Sequence, residues 1–307
     1  GCAKPVRAQA PARYVVRREP RWMSDDIGTM IREFGLSRVS GPLCRLVRQS
    51  IRLRAARCCA EELELGESRI GGLPDLPEGW AWPKWNGEDL GFIAQIGLAE
   101  VARLGIAGCL PPSGILYFFY DPEQRAWGFD PADRGAWRVL FYDGAADMLR
   151  RQVEPPSLDE ESICEPCKLK MSVESTLPPT ESAFLSGLAL TEAEGSRYYD
   201  LLAELEESRG PVLNRFLGHP DQIQYDMAWE SQMASNGVFV GDLSYMGDPR
   251  TAELEKGASN WRLLLQIDSD PEPNMMWEDD GRIYYWIHER ALEQRDFGKA
   301  WFVLQCY

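Results

Sequence analysis

The chain has 307 residues, of which 44% are hydrophobic, and a formal net charge of −15. This composition provides enough apolar material for a packed core in one large domain or two. No apolar run reaches the ~18 residues that a membrane-spanning helix requires, and the first residues lack the apolar segment of a secretory signal.

Charge is distributed unevenly along the chain. Residues 1–57 contain 13 Lys and Arg against 4 Asp and Glu, whereas residues 58–307 contain 20 against 44. The acidic part argues against nucleic-acid binding, because contacts with phosphates require clustered cations. The basic front either binds nucleic acid or an anionic membrane, or it lies against the acidic part or stays solvated. We favour the second interpretation.

The N-terminal segment, residues 1–40, is predicted to be a basic extension with one helix. Ser24 is a candidate helix cap, apolar residues follow at helical spacing from 27 to 34, and Gly35 is a stop signal. The next segment, residues 43–63, combines helical apolar spacing with a strand-like alternation, so its pattern alone is ambiguous.

Strands separated by irregular segments are predicted for the middle of the chain. Residues 66–87 are rich in Gly, Pro and Trp, and their prolines oppose regular structure. Buried strands are predicted at 91–98 and 114–121, the first followed by a short helix. Another strand is predicted at 137–143, and residues 127–129 are a candidate hairpin partner of the strand at 114–121.

The remainder contains a linker, a helix and further strands. Residues 151–165 form an acidic linker, and residues 168–174 then alternate like a strand. Thr191 and Glu194 form a capping box that begins a helix. The last predicted strands are 261–267, 282–287 and 301–306.

Four short blocks occur twice in the same order. The pairs are Arg69–Asp75 with Arg215–Asp221, Phe92–Ile96 with Leu263–Ile267, Gly114–Tyr117 with Gly281–Tyr284, and Trp137–Leu140 with Trp301–Leu304. The first pair reads Arg-x-x-Gly-x-Pro-Asp in both copies. Two copies are too few for a solenoid, so they indicate two half-domains related by a pseudo-twofold axis. The second copy carries an insertion, roughly residues 222–260, in which 238–240 is the only strand-like run.

The same parts of the chain resemble the YwqG-like family, a bacterial family classed as a domain of unknown function. The motifs that carry the resemblance are Ser68–Pro77 with Trp82-Pro83, Leu90–Ile96, Leu217–Pro220 with Ile223-Gln224, Leu263–Asp270, and Met276-Trp277 through Gly281. The resemblance extends from about Ile51 to Tyr307. It implies an α+β fold with an internal duplication, and it favours a short helix followed by a strand over 43–63. It brings no established activity, substrate or catalytic residue.

We therefore predict an α+β, strand-rich, internally duplicated unit made of two pseudo-twofold-related half-domains. The N-terminal basic extension with one helix covers residues 1–40, and the first half covers 41–150. A linker strand and helix cover 151–210, and the second half covers 211–307.

The motifs that usually identify an enzyme are missing from the sequence. There are two histidines, no Gly-x-Ser-x-Gly elbow and no phosphate-binding Gly-x-x-x-x-Gly-Lys-Ser/Thr loop. His219 replaces the Leu73 of the first copy, which argues against an essential role. Cys164 and Cys167 form a lone Cys-x-x-Cys without the second pair of a structural zinc site. The scattered cysteines fit reduced thiols in the cytoplasm.

Acidic residues at the end of a predicted strand provide the alternative hypothesis. Asp268 and Asp270 end the strand, Asp279 follows soon after, and such oxygens could hold a divalent cation in a hydrolase or transferase. However, the first copy has Gly97 and Ala99 at the places of Asp268 and Asp270, and Asp is common in turns.

Polar residues that recur in both halves are the other candidates. They are Arg69 and Arg215, Asp75 and Asp221, and Gln95 and Gln266. One interpretation is that each Arg pairs with an Asp and each Gln joins a loop to the sheet, which preserves the shape of the repeat. The other interpretation is a cleft along the pseudo-axis, where the two arginines face an anionic ligand and Trp82 or Trp277 stacks on it.

The leading prediction is a cytoplasmic, non-enzymatic module with a cleft between its two halves. Its partner is an unknown protein or a small anionic ligand, and no cofactor is expected unless the divalent-cation alternative holds. The candidate ligand-binding residues are Arg69, Asp75, Trp82, Gln95, Arg215, Asp221, Gln266 and Trp277. The candidate metal ligands are Asp268, Asp270 and Asp279.

Overall fold

A computed structural model describes residues 27–155, 157–159 and 162–307. The helix cap predicted at Ser24 lies outside these residues. The α-helices are α1 (Ile27–Glu33), α2 (Ser40–Leu46), α3 (Leu98–Ala102), α4 (Ala183–Ser186), α5 (Glu192–Arg209), α6 (Met227–Ser235), α7 (Thr251–Leu254) and α8 (Glu289–Glu293). The strands are β1 (Arg48–Arg57), β2 (Arg69–Ile70), β3 (Asp75–Pro77), β4 (Lys84–Trp85), β5 (Glu88–Asp89), β6 (Gly91–Gly97), β7 (Ile115–Tyr120), β8 (Trp137–Tyr142), β9 (Leu149–Arg151), β10 (Cys167–Thr176), β11 (Arg215–Phe216), β12 (Trp261–Asp268), β13 (Arg282–His288) and β14 (Trp301–Gln305).

Ten of these strands form one antiparallel sheet in the order β14-β13-β12-β11-β1-β10-β2-β6-β7-β8. The two longest, β1 and β10, lie at its centre and pair from Arg48 opposite Thr176 to Arg57 opposite Cys167. β2, β6, β7 and β8 continue on one side, and β11, β12, β13 and β14 on the other. The predicted strand-rich α+β class is confirmed.

The sheet curls until its two edge strands nearly meet. The ring of Trp137 in β8 lies 4.9 Å from that of Trp301 in β14, and its Nε1 donates to the carbonyl of Ala300 at 2.9 Å. Inside the curl, Phe302 stacks on Tyr120 with centroids 4.0 Å apart. Burying one such aromatic side chain contributes roughly 1.5–3 kcal/mol, so this aromatic contact joins the two sides of the sheet firmly.

A second, smaller core lies under the helices. The predicted helix at 27–34 is α1, which ends before Gly35 at a φ of +74°. The predicted capping box begins α5: the Thr191 hydroxyl accepts from the Glu194 N–H, and the Glu194 carboxylate accepts from the Thr191 N–H. The buried residues shared by α1, α2 and α5 are Met30, Ile31, Leu43, Tyr198, Leu201 and Leu205.

Two predicted strands are wrong. β7 pairs with β8 rather than with 127–129, and the insertion at 222–260 forms α6 and α7 without a strand at 238–240. The two segments instead meet at one hydrogen bond, from the Val240 N–H to the Phe129 carbonyl at 3.0 Å. The apolar residues of the two segments hold loops in place, because Phe129 packs on Phe239. The backbone groups of these loops do not need the repeated hydrogen bonds of paired strands.

The irregular segment at 66–87 is also more ordered than predicted. It contains β3, which pairs with β9, and β4, which pairs with β5 in a short hairpin. Each of these strands has only two or three residues, as expected where proline removes donors. None of the helices in the described part of the chain has the length and apolar character needed to cross a bilayer.

Candidate functional site

The first Arg-Asp-Gln cluster is buried beside β2 and β6. Arg69 lies opposite Gln95 in the sheet and forms an ion pair with Asp75, with both side chains 0% exposed. The Gln95 Oε1 accepts from the Asp75 N–H at 2.9 Å, and its Nε2 donates to the Asp75 carboxylate at 3.1 Å. The Tyr117 hydroxyl donates to the Asp75 carbonyl at 2.7 Å. Burial lowers the pKa of Arg69, against the attraction of Asp75.

The second cluster has the same contacts beside β11 and β12. Arg215 lies opposite Gln266, and its Nη2 is 2.6 Å from the Asp221 carboxylate. Gln266 accepts from the Asp221 N–H at 2.9 Å and donates to the Asp221 carboxylate at 2.9 Å. The Tyr284 hydroxyl donates to the Asp221 carbonyl at 2.7 Å. Burial opposes ionisation of Asp221, but Arg215 and other arginines hold its pKa below the ordinary value.

The structure therefore gathers the six repeated polar residues into two separate, internally bonded groups. The two tryptophans that were expected to stack on a ligand pack within the fold. Trp82 Nε1 donates to the Leu90 carbonyl at 2.7 Å, and Trp277 Nε1 donates to the Asp268 carbonyl at 3.2 Å. Their ligand-binding role stays a prediction.

The acidic residues proposed as metal ligands are also bonded to the protein. Asp268 accepts from Arg282 Nε at 2.9 Å and from the Leu213 N–H at 2.7 Å, and burial raises its pKa. Asp270 accepts from Asn214 Nδ2 at 2.7 Å. Asp279 is exposed. Within residues 27–155, 157–159 and 162–307, no group of three or more His, Cys, Asp or Glu is placed to hold a metal ion.

Two residue types with reactive potential are held in inactive forms. Burial lowers the pKa of His219 to about 3, and its Nε2 lies 2.8 Å from the Leu46 carbonyl. Burial raises the pKa of both Cys164 and Cys167 to about 12, so neither is a thiolate at neutral pH. The surroundings of His219 and of the Cys-x-x-Cys pair therefore suit residues that stabilise the fold rather than residues that react.

A different site lies where the two edges of the sheet meet. This pocket of about 470 Å³, here called the seam cleft, is lined by the charged or titratable Arg134, His288, Arg290 and Lys299 and by neutral residues that include Gln232 and Trp261. None of the described residues that line it is Asp or Glu. The electrostatic potential of this cationic pocket is therefore opposite in sign to the net charge of the chain, which is −15.

The cations of the seam cleft come from segments at both edges of the sheet. Arg134 precedes β8, lies 4.7 Å above the ring of Trp301, and donates to the Ser235 carbonyl at 3.3 Å. Lys299 precedes β14 and is 2.8 Å from Asp296, which partly neutralises it. Neither Arg134 nor Arg290 forms an ion pair with a carboxylate in the described part of the chain, although the neighbouring Glu289 pairs with Arg262.

The other polar groups of the seam cleft are oriented by local hydrogen bonds. His288 ends β13 and caps α8, where its Nδ1 accepts from the Arg290 N–H at 3.2 Å. A neutral His288 therefore carries its hydrogen on Nε2. Trp261 begins β12 and donates from Nε1 to the Gln232 Oε1 at 2.7 Å, which fixes the Gln232 amide.

Sequence reasoning missed the seam cleft. Its cations lie outside the repeated blocks and are separated by more than 100 residues, from Arg134 to Arg290. The sequence feature that pointed to this site was the presence of Arg and Lys in an acidic part of the chain. It did not show which of these side chains lie close together in the fold.

The fold and the site define a strand-rich α+β protein with a nearly closed antiparallel sheet and a cationic cleft at its seam. A family model described as "Domain of unknown function (DUF1963)" matches residues 68–306. The chain belongs to this family, since the match covers most of its length. Comparison with proteins of curated function finds no match.

Proposed function

We propose that this protein is a cytoplasmic, non-enzymatic binding module that holds a small anionic ligand in the seam cleft between two related halves. The observation that carries the proposal is the seam cleft itself, where cations from both sides converge and no carboxylate is among the described lining residues. Its volume falls within the range of roughly 300–1,000 Å³ that is typical of small-molecule pockets.

The two related halves are residues 41–150 and 211–307, joined by the linker at 151–210. The matching order of strands on either side of β1 and β10 supports this division into two halves. The bonds of Gln95 and Gln266 further support the duplication. Gln95 bonds to Asp75 and Gln266 to Asp221, and these two aspartates hold equivalent positions in the two halves. The proposed duplication places the seam cleft between the last strands of the two halves.

In this proposal the repeated Arg, Asp and Gln residues hold loops to the sheet, and the ligand contacts come from Arg134, Arg290 and Lys299. The support is that Arg69 and Arg215 are buried against their own aspartates, whereas the cations of the seam cleft border open space. Buried charges need partners and rarely reach a ligand. The cytoplasmic setting is supported by the cysteines in the described residues, which are all free thiols.

A thermal-shift screen tests the proposal, because a ligand that binds only the native state raises the melting temperature. Phosphate, citrate, divalent cations and neutral sugars are compared at constant ionic strength in wild type, Arg134→Glu and Arg54→Glu. Arg54 is an exposed arginine of β1 and is the matched control for the change of charge.

We expect anions to raise the melting temperature of wild type and of Arg54→Glu but not of Arg134→Glu. Equal shifts in both variants, or no shift with any anion, would contradict the proposal. A shift with a divalent cation that disappears in Asp268→Asn would favour the metal-dependent enzyme instead.

A further inference from the structure

We infer that the ligand class of the seam cleft is a phosphate monoester of a small hydroxylated molecule. This inference rests on the proposed function and specifies its ligand. Arg134 and Arg290 each contribute a full positive charge, and Lys299 contributes a charge that it shares with Asp296. A charge of about two or more suits a dianion, and a phosphate monoester is close to a dianion at neutral pH because its second pKa is about 6.

The number of donors favours phosphate over a single carboxylate. Two guanidinium groups present planar pairs of N–H groups, which match oxyanions through two parallel bonds. The Lys299 ammonium adds another donor. His288 contributes its Nε2–H, because the Arg290 N–H occupies Nδ1. Four donor groups exceed what the two oxygens of one carboxylate need, whereas a phosphate monoester has three terminal oxygens to receive them.

The amide groups of the seam cleft suit the hydroxyls of the esterified molecule. Gln232 uses its Oε1 for Trp261, which leaves its amide nitrogen as a donor for a ligand. Asn236 uses its Nδ2 for the Gln232 carbonyl at 2.8 Å, which leaves its amide oxygen as an acceptor. A hydroxyl can both donate and accept, so a polyol fits a wall that offers one of each.

The opposite ends of the same strands present the reverse chemistry. β12 and β13 run from the seam cleft to a second pocket of about 560 Å³ lined by Glu206, Glu207, Asp268, Asp280 and Arg282. A strand of seven or eight residues is about 25 Å long, so the two pockets are far apart. The carboxylates at this end repel a dianion. A phosphate is therefore expected to bind at the seam-cleft end of β12 and β13 and not at the acidic end.

Isothermal titration calorimetry at pH 7.5 and constant ionic strength tests the inference with glucose 6-phosphate, inorganic phosphate, citrate and glucose. We expect glucose 6-phosphate to bind most tightly, inorganic phosphate to bind more weakly, and glucose not to bind. Arg134→Gln and Arg290→Gln should each weaken glucose 6-phosphate binding at least tenfold, because each removes charged hydrogen bonds. The exposed-site control Arg54→Gln should bind like wild type, and melting curves verify that each variant is folded.

The outcomes separate the two levels of the proposal. Citrate binding as tightly as glucose 6-phosphate, with the same loss in Arg134→Gln, would overturn the phosphate class while leaving an anion-binding cleft. Inorganic phosphate binding as tightly as the ester would overturn the role of the hydroxylated part. No binding of any anion would overturn both this inference and the proposed function.

Discussion

Gln95 and Gln266 make the same pair of hydrogen bonds on opposite sides of the central strands. Each accepts at 2.9 Å from the backbone N–H of an aspartate and donates to the carboxylate of that aspartate, which is Asp75 for Gln95 and Asp221 for Gln266. Both glutamines are 0% exposed. Gln95 therefore joins β6 to β3, and Gln266 joins β12 to the segment after β11 that contains Asp221.

Replacing either glutamine should destabilise the protein to a similar extent. Gln95→Ala leaves the buried Asp75 N–H without its acceptor, and Gln266→Ala removes the acceptor of the part-buried Asp221 N–H. We expect each variant to lose about 2–4 kcal/mol in the free energy of unfolding, measured with urea, since an unsatisfied buried group costs ~1–3 kcal/mol and a cavity adds to it. The exposed Gln294→Ala should change the free energy of unfolding by less than about 0.5 kcal/mol. A Gln95→Ala variant as stable as this control would contradict the account.

The buried ion pair between Arg69 and Asp75 should matter far more than an exposed one. Asp75→Asn removes the charge that faces a guanidinium with 0% exposure, and losing one partner of such a pair costs about 3–5 kcal/mol. The matched control is Glu78→Gln, which breaks the exposed pair with Arg150 and should cost at most about 1 kcal/mol. Urea unfolding of the two variants tests this, and equal losses would show that the charge of Asp75 contributes no more to stability than the exposed charge of Glu78.

His219 should make the protein less stable in acid. Its folded pKa of about 3 lies below the ordinary 6.5, so the unfolded state binds an extra proton between these values. The free energy of unfolding therefore falls as pH decreases through this window, by about 1.4 kcal/mol per pH unit for one such group. His219→Leu loses the contact with Leu46 at all pH values, but its pH dependence between 6.5 and 4 should be shallower by one proton. Parallel curves for wild type and His219→Leu would refute this assignment.

Glu230 should have the opposite effect in alkaline conditions. Burial, with a further contribution from Asp226, raises the pKa of Glu230 from 4.5 to about 8. The folded state keeps a proton that the unfolded state has lost, so stability decreases as pH rises from 4.5 through about 8. We expect Glu230→Gln to match wild type at pH 4 and to be more stable at pH 9, by a few kcal/mol. Urea unfolding at the two pH values measures this, and an equal difference at both would contradict it.

Local sequence signals were sufficient for most of the longer strands and for α5, but not for the order of the strands in the sheet. The apolar run of β6, interrupted only by Gln95, and the capping box of α5 each indicate their element through adjacent residues. The repeated Arg, Asp and Gln residues also indicated internal pairs, which the structure contains. Two strand predictions failed, at 127–129 and 238–240, because apolar loop residues that pack on each other look like short strands in sequence.

The seam cleft could not be predicted in the same way. Its formation depends on how far the sheet curls, which brings Trp137 to Trp301 and Arg134 over the Trp301 ring. Curl results from the twist of ten strands and from side-chain packing across the whole core. No local pattern around Arg134 or Arg290 contains that information.

The most direct test of anion binding in the seam cleft is a ¹H–¹⁵N NMR titration that follows the tryptophan indole N–H groups as glucose 6-phosphate is added at constant ionic strength. Trp261 lies in the seam cleft with its Nε1 bonded to Gln232, whereas Trp82 is bonded to Leu90 outside it. Assignment uses Trp261→Phe and Trp82→Phe. We expect a saturable shift of the Trp261 signal and an unchanged Trp82 signal. A saturable shift of Trp82 with Trp261 unmoved would place the ligand elsewhere and contradict the account.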